Sequence, residues 1–264
     1  MGKVNVRNMW HSETQNKATP AMLDDSCLPR IRTTPSLSEQ TYDIIQEAIV
    51  TLTFKPGDRL SVQRLSDQLG VSRTPVKEAF QRLEQEGLVS VVPRRGTFVS
   101  PIEVKDIDEI LEARGVVEGF AARSAALGLS ETDLEEAGTV LEHQENALEM
   151  GKVPESAEIG HGFHVIVLSQ LENDRMVGFL KQMDLQYTRI RRIFSHAFVR
   201  QRQSLKEHYG ILSTLQARNP DAAYHAMFDH HWSVRDELVA SYKTGIGEAA
   251  HFPETLEGGR SSGG

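Results

Sequence analysis

The chain has 264 residues, one cysteine and a formal net charge of −8 at pH 7. That length suggests two domains, and a lone Cys27 excludes an internal disulfide framework and fits a reducing cytoplasm. The acidic balance excludes nucleic-acid binding driven by overall charge, and no apolar run has the length of a membrane span or the pattern of a secretion signal.

Residues 1–35 are polar, carry Pro20, Pro29 and Pro35 with little periodicity, and read as a disordered extension. A first helix is expected from Leu37 to Leu52, with Tyr42, Ile45, Ile49 and Leu52 on one face. A short helix follows from Ser61, a natural N-cap, to Leu69, and Gly70 stops it because glycine enters a left-handed turn without strain. Ser72 opens the next helix, in which Pro75 is tolerated in the first turn. Val76, Phe80 and Leu83 point to a core, while Arg73, Lys77 and Gln81 recur every four residues on another face. Long donors near a helix N-terminus suit phosphates and base edges in a major groove. Leu88–Val92 and Thr97–Ser100 read as strands around the turn Pro93-Arg94-Arg95-Gly96, a basic wing whose Arg94, Arg95 and Gly96 can approach a backbone or a minor groove. Residues 36–101 therefore form a winged helix-turn-helix. Residues 37–100 hold eight Lys plus Arg and eight Asp plus Glu, so DNA binding must come from a concentrated strip and be sensitive to salt.

Residues 102–245 carry no strand signal and predict an all-α antiparallel bundle, so the fold class is mainly α. Its helices are expected from about Ile107 to Gly128, from Ser130 with Asp133 completing a capping box, from Pro154 to Leu171, from a cap at Asn173 to His196, over 200–217, and from Asn219-Pro220 to before Gly245. Of the basic cluster Arg189, Arg191 and Arg192, two are expected to face solvent, since adjacent residues cannot share one helix face. His161 and His164, then His208, then His230 and His231 lie on three separate helical segments. Imidazole is a common ligand for divalent ions, and a bundle can converge side chains from several helices. Spacing alone leaves open whether these histidines converge or scatter. Residues 246–264 read as a flexible tail.

The string Leu69-Gly70-Val71-Ser72-Arg73-Thr74-Pro75-Val76-Lys77-Glu78-Ala79, then Leu83, Glu86-Gly87-Leu88-Val89 and Arg95-Gly96-Thr97-Phe98-Val99, resembles the GntR family of bacterial transcription regulators. The resemblance implies major-groove contacts from Arg73 and Lys77, phosphate contacts from Ser72 and Thr74, and a wing tip at Gly96. The family often has Arg at the position of Gln63, so a contact from the second helix falls on Gln63 or the adjacent Arg64. The segments Arg114 to Glu118, Gly162-Phe163-His164, Glu207-His208-Tyr209-Gly210-Ile211-Leu212 and Ala226 to His230 resemble the FCD ligand-binding domain of the FadR subgroup. Many members bind a metal through an Asp and three His. His164, His208 and His230 match the three His positions, and the Asp position is Gly160.

The resemblance implies a transcriptional regulator, a repressor by the family's common outcome and not an enzyme. It would be a homodimer on a short inverted-repeat operator of double-stranded DNA, controlled by a small organic acid. A divalent metal, zinc or nickel, would sit on the three histidines, with His161 or Glu158 as substitutes for the missing ligand. Arg114 can pair with the effector anion or, at four-residue spacing, with Glu118. His231 is expected to face elsewhere and be structural. Two other readings stay open: a constitutive DNA-binding protein with an inert bundle, and a metal-dependent enzyme.

Overall fold

The computed structural model describes residues 35–194 and 198–243. Apart from Pro35, the expected N-terminal extension with Cys27 lies outside the described residues, as do the tail after residue 245 and the expected helix end at His196.

The N-terminal part is α1 (Leu37–Val50), β1 (Arg59–Leu60), α2 (Val62–Leu69), α3 (Arg73–Gln85), β2 (Val89–Val92) and β3 (Gly96–Val99). A capping box between Ser36 and Glu39 starts α1. It ends two residues earlier than expected, because Leu52 turns into a left-handed conformation with φ 62° and Phe54 bonds back to the Ala48 carbonyl. Ser61 accepts from the Arg64 amide at α2, and Gly70 closes that helix with φ 65°. The three strands order as β1-β3-β2, all antiparallel, with Val92 opposite Gly96 across the wing. β1 is a two-residue strand that sequence reading missed, being too short for any period to register. Tyr42, Ile45, Ile49, Val76, Phe80, Leu83, Leu88 and Val99 make one apolar core.

The C-terminal part is helical throughout its described residues: α4 (Val104–Gly128), α5 (Glu131–Glu149), α6 (Val153–Leu168), α7 (Asp174–Phe194), α8 (Phe198–Gln216) and α9 (Pro220–Lys243). The expected caps form. Ser130 and Asp133 make a capping box, Asn173 Oδ1 accepts from the Arg175 and Met176 amides, and Asn219 Oδ1 accepts from Ala222. Gly115 and Gly119 let α4 and α9 close on each other; a Cβ at Gly119 would stand 3.1 Å from the Tyr224 ring.

The two parts meet along α7. Leu185 packs on the N-terminal core, Gln186 Nε2 donates to the Glu86 carbonyl at 3.3 Å, and Arg189 Nη2 donates to the Ser100 carbonyl at 2.6 Å. Arg189 is fully buried, and burial pulls its guanidinium down to about 10, with Asp106 opposing the shift. Tyr242 also donates to the Ile102 carbonyl, tying α9 to the same connector. The expectation of two solvent-facing arginines in this cluster is corrected. Arg189 is buried, Arg191 is largely covered and reaches Glu158, and only Arg192 keeps about a third of its side chain exposed. The docking of α7 on the N-terminal part supplies a surface that helical periodicity cannot reveal.

Arg189→Ala removes a charged donor from a buried carbonyl and should weaken this junction by about 2 kcal/mol. The expected outcome in calorimetry is one unfolding transition in the wild type that broadens or splits in the variant, with faster proteolysis between Ser100 and Glu103.

Candidate functional site

The first site is the exposed face of α3. Ser72, Arg73, Thr74 and Lys77 are all exposed, while Pro75, Val76, Ala79 and Phe80 anchor the opposite side. Ser72 makes no side-chain capping bond, so the first-turn amides of Arg73 and Thr74 are not capped by it. Arg94 and Arg95 are exposed on the wing, where Arg94 takes φ 65° and Gly96 φ 120°. A Cβ at Gly96 would sit 3.1 Å from Arg59 Nε, so glycine there meets both a backbone and a steric demand. Arg64 is exposed on α2. Gln63 has a more specific place: its amide oxygen accepts from Arg73 Nη2 and its Nε2 donates to Asp67 Oδ1 at 2.7 Å. It braces the α3 arginine from the neighbouring helix.

The second site is a histidine chamber inside the bundle. His164 comes from α6, His208 from α8 and His230 from α9, all buried, with one nitrogen from each lying within 4.8 Å of the others. Each ring is oriented through Nδ1. His164 Nδ1 donates to Glu118 Oε2 at 2.8 Å, His208 Nδ1 to Gln144 Oε1 at 3.0 Å, and His230 Nδ1 to Glu207 Oε2 at 2.7 Å. Burial pushes His208 well below the usual histidine range and His230 down to about 3. Burial works against ionisation of Glu207, but the hydrogen bond from His230 and the positive Arg200 hold it at about 2.

The Glu118 carboxylate fixes His164 with its proton on Nδ1, so its Nε2 presents a lone pair to His208 Nε2 at 3.1 Å. That spacing is close to the edge of a tetrahedral zinc site, about 3.3 Å by its bond lengths. An oxygen acceptor on the far nitrogen of each ring is the arrangement that orients metal-bound histidines. The residues therefore fit a divalent ion.

A cavity of about 60 Å³ opens beside the three histidines. Gln144, Gly160, His161, Arg191, Arg200 and Ser204 give it a polar side, and Ile190, Phe194, Val234 and Leu238 an apolar one. Burial lowers the pKa of His161, with Arg191 adding to the effect. Arg191 donates to the Ala157 carbonyl and Glu158; Arg200 is buried between Glu207, Glu237, Ser204 and Ser233.

His161 thus borders the cavity without joining the three-histidine group, and Glu158 turns away to Arg191 and Arg192. Arg114 is not among the cavity-lining residues. It is fully buried, with Nη2 2.6 Å from Glu118 Oε1, Nη1 3.7 Å from Asp184 and its guanidinium over the Tyr187 ring. His231 stays outside the three-histidine group: its Nε2 lies 3.0 Å from Glu118 Oε2, and Glu118, His164 and His231 form a second close group. Sequence reading missed Gln144, Glu207 and Arg200. Glu207 stood next to His208 in a quoted segment, whereas Gln144 gave no signal at all.

Residues 37–99 match the family described as bacterial regulatory proteins, gntR family, and residues 109–231 match the FCD domain. The HTH-type transcriptional repressor RspR of Escherichia coli (strain K12) is 27% identical over 210 residues, spanning 79% of this chain and 92% of that protein. The HTH-type transcriptional regulator YdhC of Bacillus subtilis (strain 168) is 29% identical over 197 residues, spanning 72% and 86%. Among solved structures, E. coli McbR/YncC superposes with a TM-score of 0.63 at 24% identity over 78% of this chain and 99% of that one. A GntR regulator from Rhodococcus sp. RHA1 gives 0.65 at 24% over 78% and 98%. These two likenesses establish a shared fold.

The buried neutral histidines make stability depend on pH with a definite sign. Above the ordinary histidine pKa of 6.5 neither folded nor unfolded chain is protonated at these positions. Below it the unfolded chain takes up protons that His208, His230 and His231 cannot accept when folded, so stability falls as pH drops. Each contributes a slope of about 1.4 kcal/mol per pH unit. In chelator-treated protein the melting temperature should fall steadily from pH 7 to pH 5; an unchanged value would contradict a neutral buried triad.

Proposed function

The chain belongs to the gntR family of bacterial regulatory proteins and carries an FCD domain, and from that premise we propose that it is a transcriptional repressor whose operator affinity is set by a small organic acid bound in the helical bundle. The observation that carries this reading is the double role of α7. It walls the cavity with Tyr187, Ile190, Arg191 and Phe194, and it grips the DNA-binding domain with Leu185, Gln186 and Arg189. A ligand that prefers one position of α7 thereby shifts the orientation of the DNA-binding domain, by no more than its differential affinity for the two arrangements.

On the DNA side, Arg73 and Lys77 reach base edges, Ser72, Thr74 and Arg64 reach phosphates, and Arg94, Arg95 and Gly96 carry the wing. Gln63 acts through Arg73, holding the guanidinium in place. Val116, Phe120 and Leu127, exposed along α4, offer an apolar face for a homodimer, which would present two α3 helices to an inverted repeat. Such a protein works in the cytoplasm.

In the bundle, His164, His208 and His230 would hold a divalent ion such as zinc or nickel, with Glu118, Gln144 and Glu207 fixing their rings. The ion, when bound, supplies a Lewis-acid position for a carboxylate oxygen. Arg191 and His161 complete the polar side of the cavity. Arg114 serves the acid indirectly, by setting Glu118 and hence His164.

Two measurements test this. An operator selected from random duplexes should lose about tenfold or more in affinity with Arg73→Ala or Lys77→Ala, and Gln63→Ala should lose less while relaxing the preference at the base Arg73 reads. Elemental analysis should find about one divalent ion per chain in the wild type and none in His208→Ala, as three-histidine ligation requires. Wild-type protein without metal after incubation with zinc and nickel would remove the metal from this reading.

A further inference from the structure

One buried donor at the cavity, the Nε2 of Gln144, is left unused by the three-histidine reading. Gln144 of α5 is fully buried and borders the cavity together with Gly160. Its Oε1 accepts from His208 Nδ1 at 3.0 Å. Its Nε2 then has no hydrogen-bond partner. A Cβ at residue 160 would stand 2.6 Å from that Nε2 and 2.9 Å from Cδ, so the amide fits only because position 160 is glycine. The Gln144 main chain is held as well, by the Ser156 hydroxyl. A buried donor left unpaired is destabilising and is seldom kept without a partner to receive it. This one is kept in a fixed direction beside a space lined by further donors, Arg191 and Arg200 among them.

We propose that Gln144 Nε2 is the specificity-determining donor of the ligand site, grasping a carboxylate oxygen of the bound acid, and that Gly160 exists to admit it. This rests on the ligand-binding reading of the chamber. The position that carries a metal-binding aspartate in many members of the family is here empty of side chain, and a neutral donor from another helix stands over it. The polarity of that corner is reversed. An aspartate there would offer an anion to a cation, whereas Gln144 offers a hydrogen to an anion. The site also keeps one more unit of positive charge. The cavity's 60 Å³ holds about four to six waters at 10–15 Å³ each, so the occupant is an acid of about four to six non-hydrogen atoms. Its short carbon end would meet Ile190, Phe194, Val234 and Leu238.

Gln144→Glu keeps an oxygen for His208 Nδ1 but removes the N–H donor and adds a negative charge, so it is read beside Gly160→Ala, which displaces the amide without changing charge. Acetate, glycolate and lactate are titrated into the full-length wild type, Gln144→Glu and Gly160→Ala, followed by calorimetry and by melting temperature, with zinc content measured on each. The expected result is that at least one of these acids binds and stabilises the wild type. It should bind about 10- to 100-fold more weakly to Gln144→Glu, as loss of a charge-assisted hydrogen bond together with repulsion of the anion predicts, while that variant keeps its zinc. Gly160→Ala should show the same loss with Gln144 chemically intact, because its methyl displaces the amide. Equal affinity in wild type and Gln144→Glu overturns the proposal, as does a wild type that binds none of the three acids at millimolar concentration. Acid binding that depends on Gln144 in protein free of zinc would support the proposal while removing the metal from the function proposed above.

Discussion

The carboxylate of Glu118 is the point on which the bundle turns. It has no solvent exposure, and an isolated charge in that position would be costly enough to force either protonation or unfolding. The cost is met by Arg114 one turn earlier on α4 and by His164 and His231 from α6 and α9. Burial favours the neutral acid, but Arg114 and the imidazoles override it and hold the group well below the usual carboxylate range. Arg114 in turn stacks on Tyr187 and approaches Asp184, whose own carboxyl is pushed up to about 6 by burial against the pull of Arg114. One anion thus fixes the relative placement of four helices. It also sets the tautomer of the histidine that faces the cavity. The stabilising network and the ligand-ready geometry are the same set of atoms.

The DNA-facing side follows a different economy. Its domain carries no net charge, so affinity has to be concentrated in the few exposed groups of α3 and the wing. Holding Arg73 between Gln63 and the helix start reduces the freedom a long side chain would otherwise surrender on binding. Acidic surface elsewhere works against indiscriminate association with nucleic acid.

Legibility from sequence followed the range of the forces involved. Local signals carried far: Ser130 with Asp133, Asn173, Asn219 and Gly70 each marked a helix end that the structure repeats within a residue or two. The α3 pattern placed its apolar and polar faces correctly because period 3.6 is set by neighbours along the chain. The three histidines, scattered over 67 positions from His164 to His230, could be joined only through resemblance, since nothing local says that α6, α8 and α9 meet. Gln144 and the burial of Arg189 were invisible, because both depend on what lies across an interface. Arg114 shows the intermediate case. Four-residue spacing named Glu118 as a partner, but spacing cannot tell a solvated pair from a buried one.

The junction on α7 is made largely with main chain. Gln186 takes the carbonyl of Glu86 and Arg189 that of Ser100. A carbonyl is present whatever side chain the residue bears, so this grip does not read the identity of positions 86 and 100. The exposed residues of α3 can therefore be exchanged without disturbing the connection to the helical bundle. Duplicated copies of such a gene can diverge over the exposed surface of α3 while keeping the interior of the bundle, because the two are inherited through separate sets of atoms.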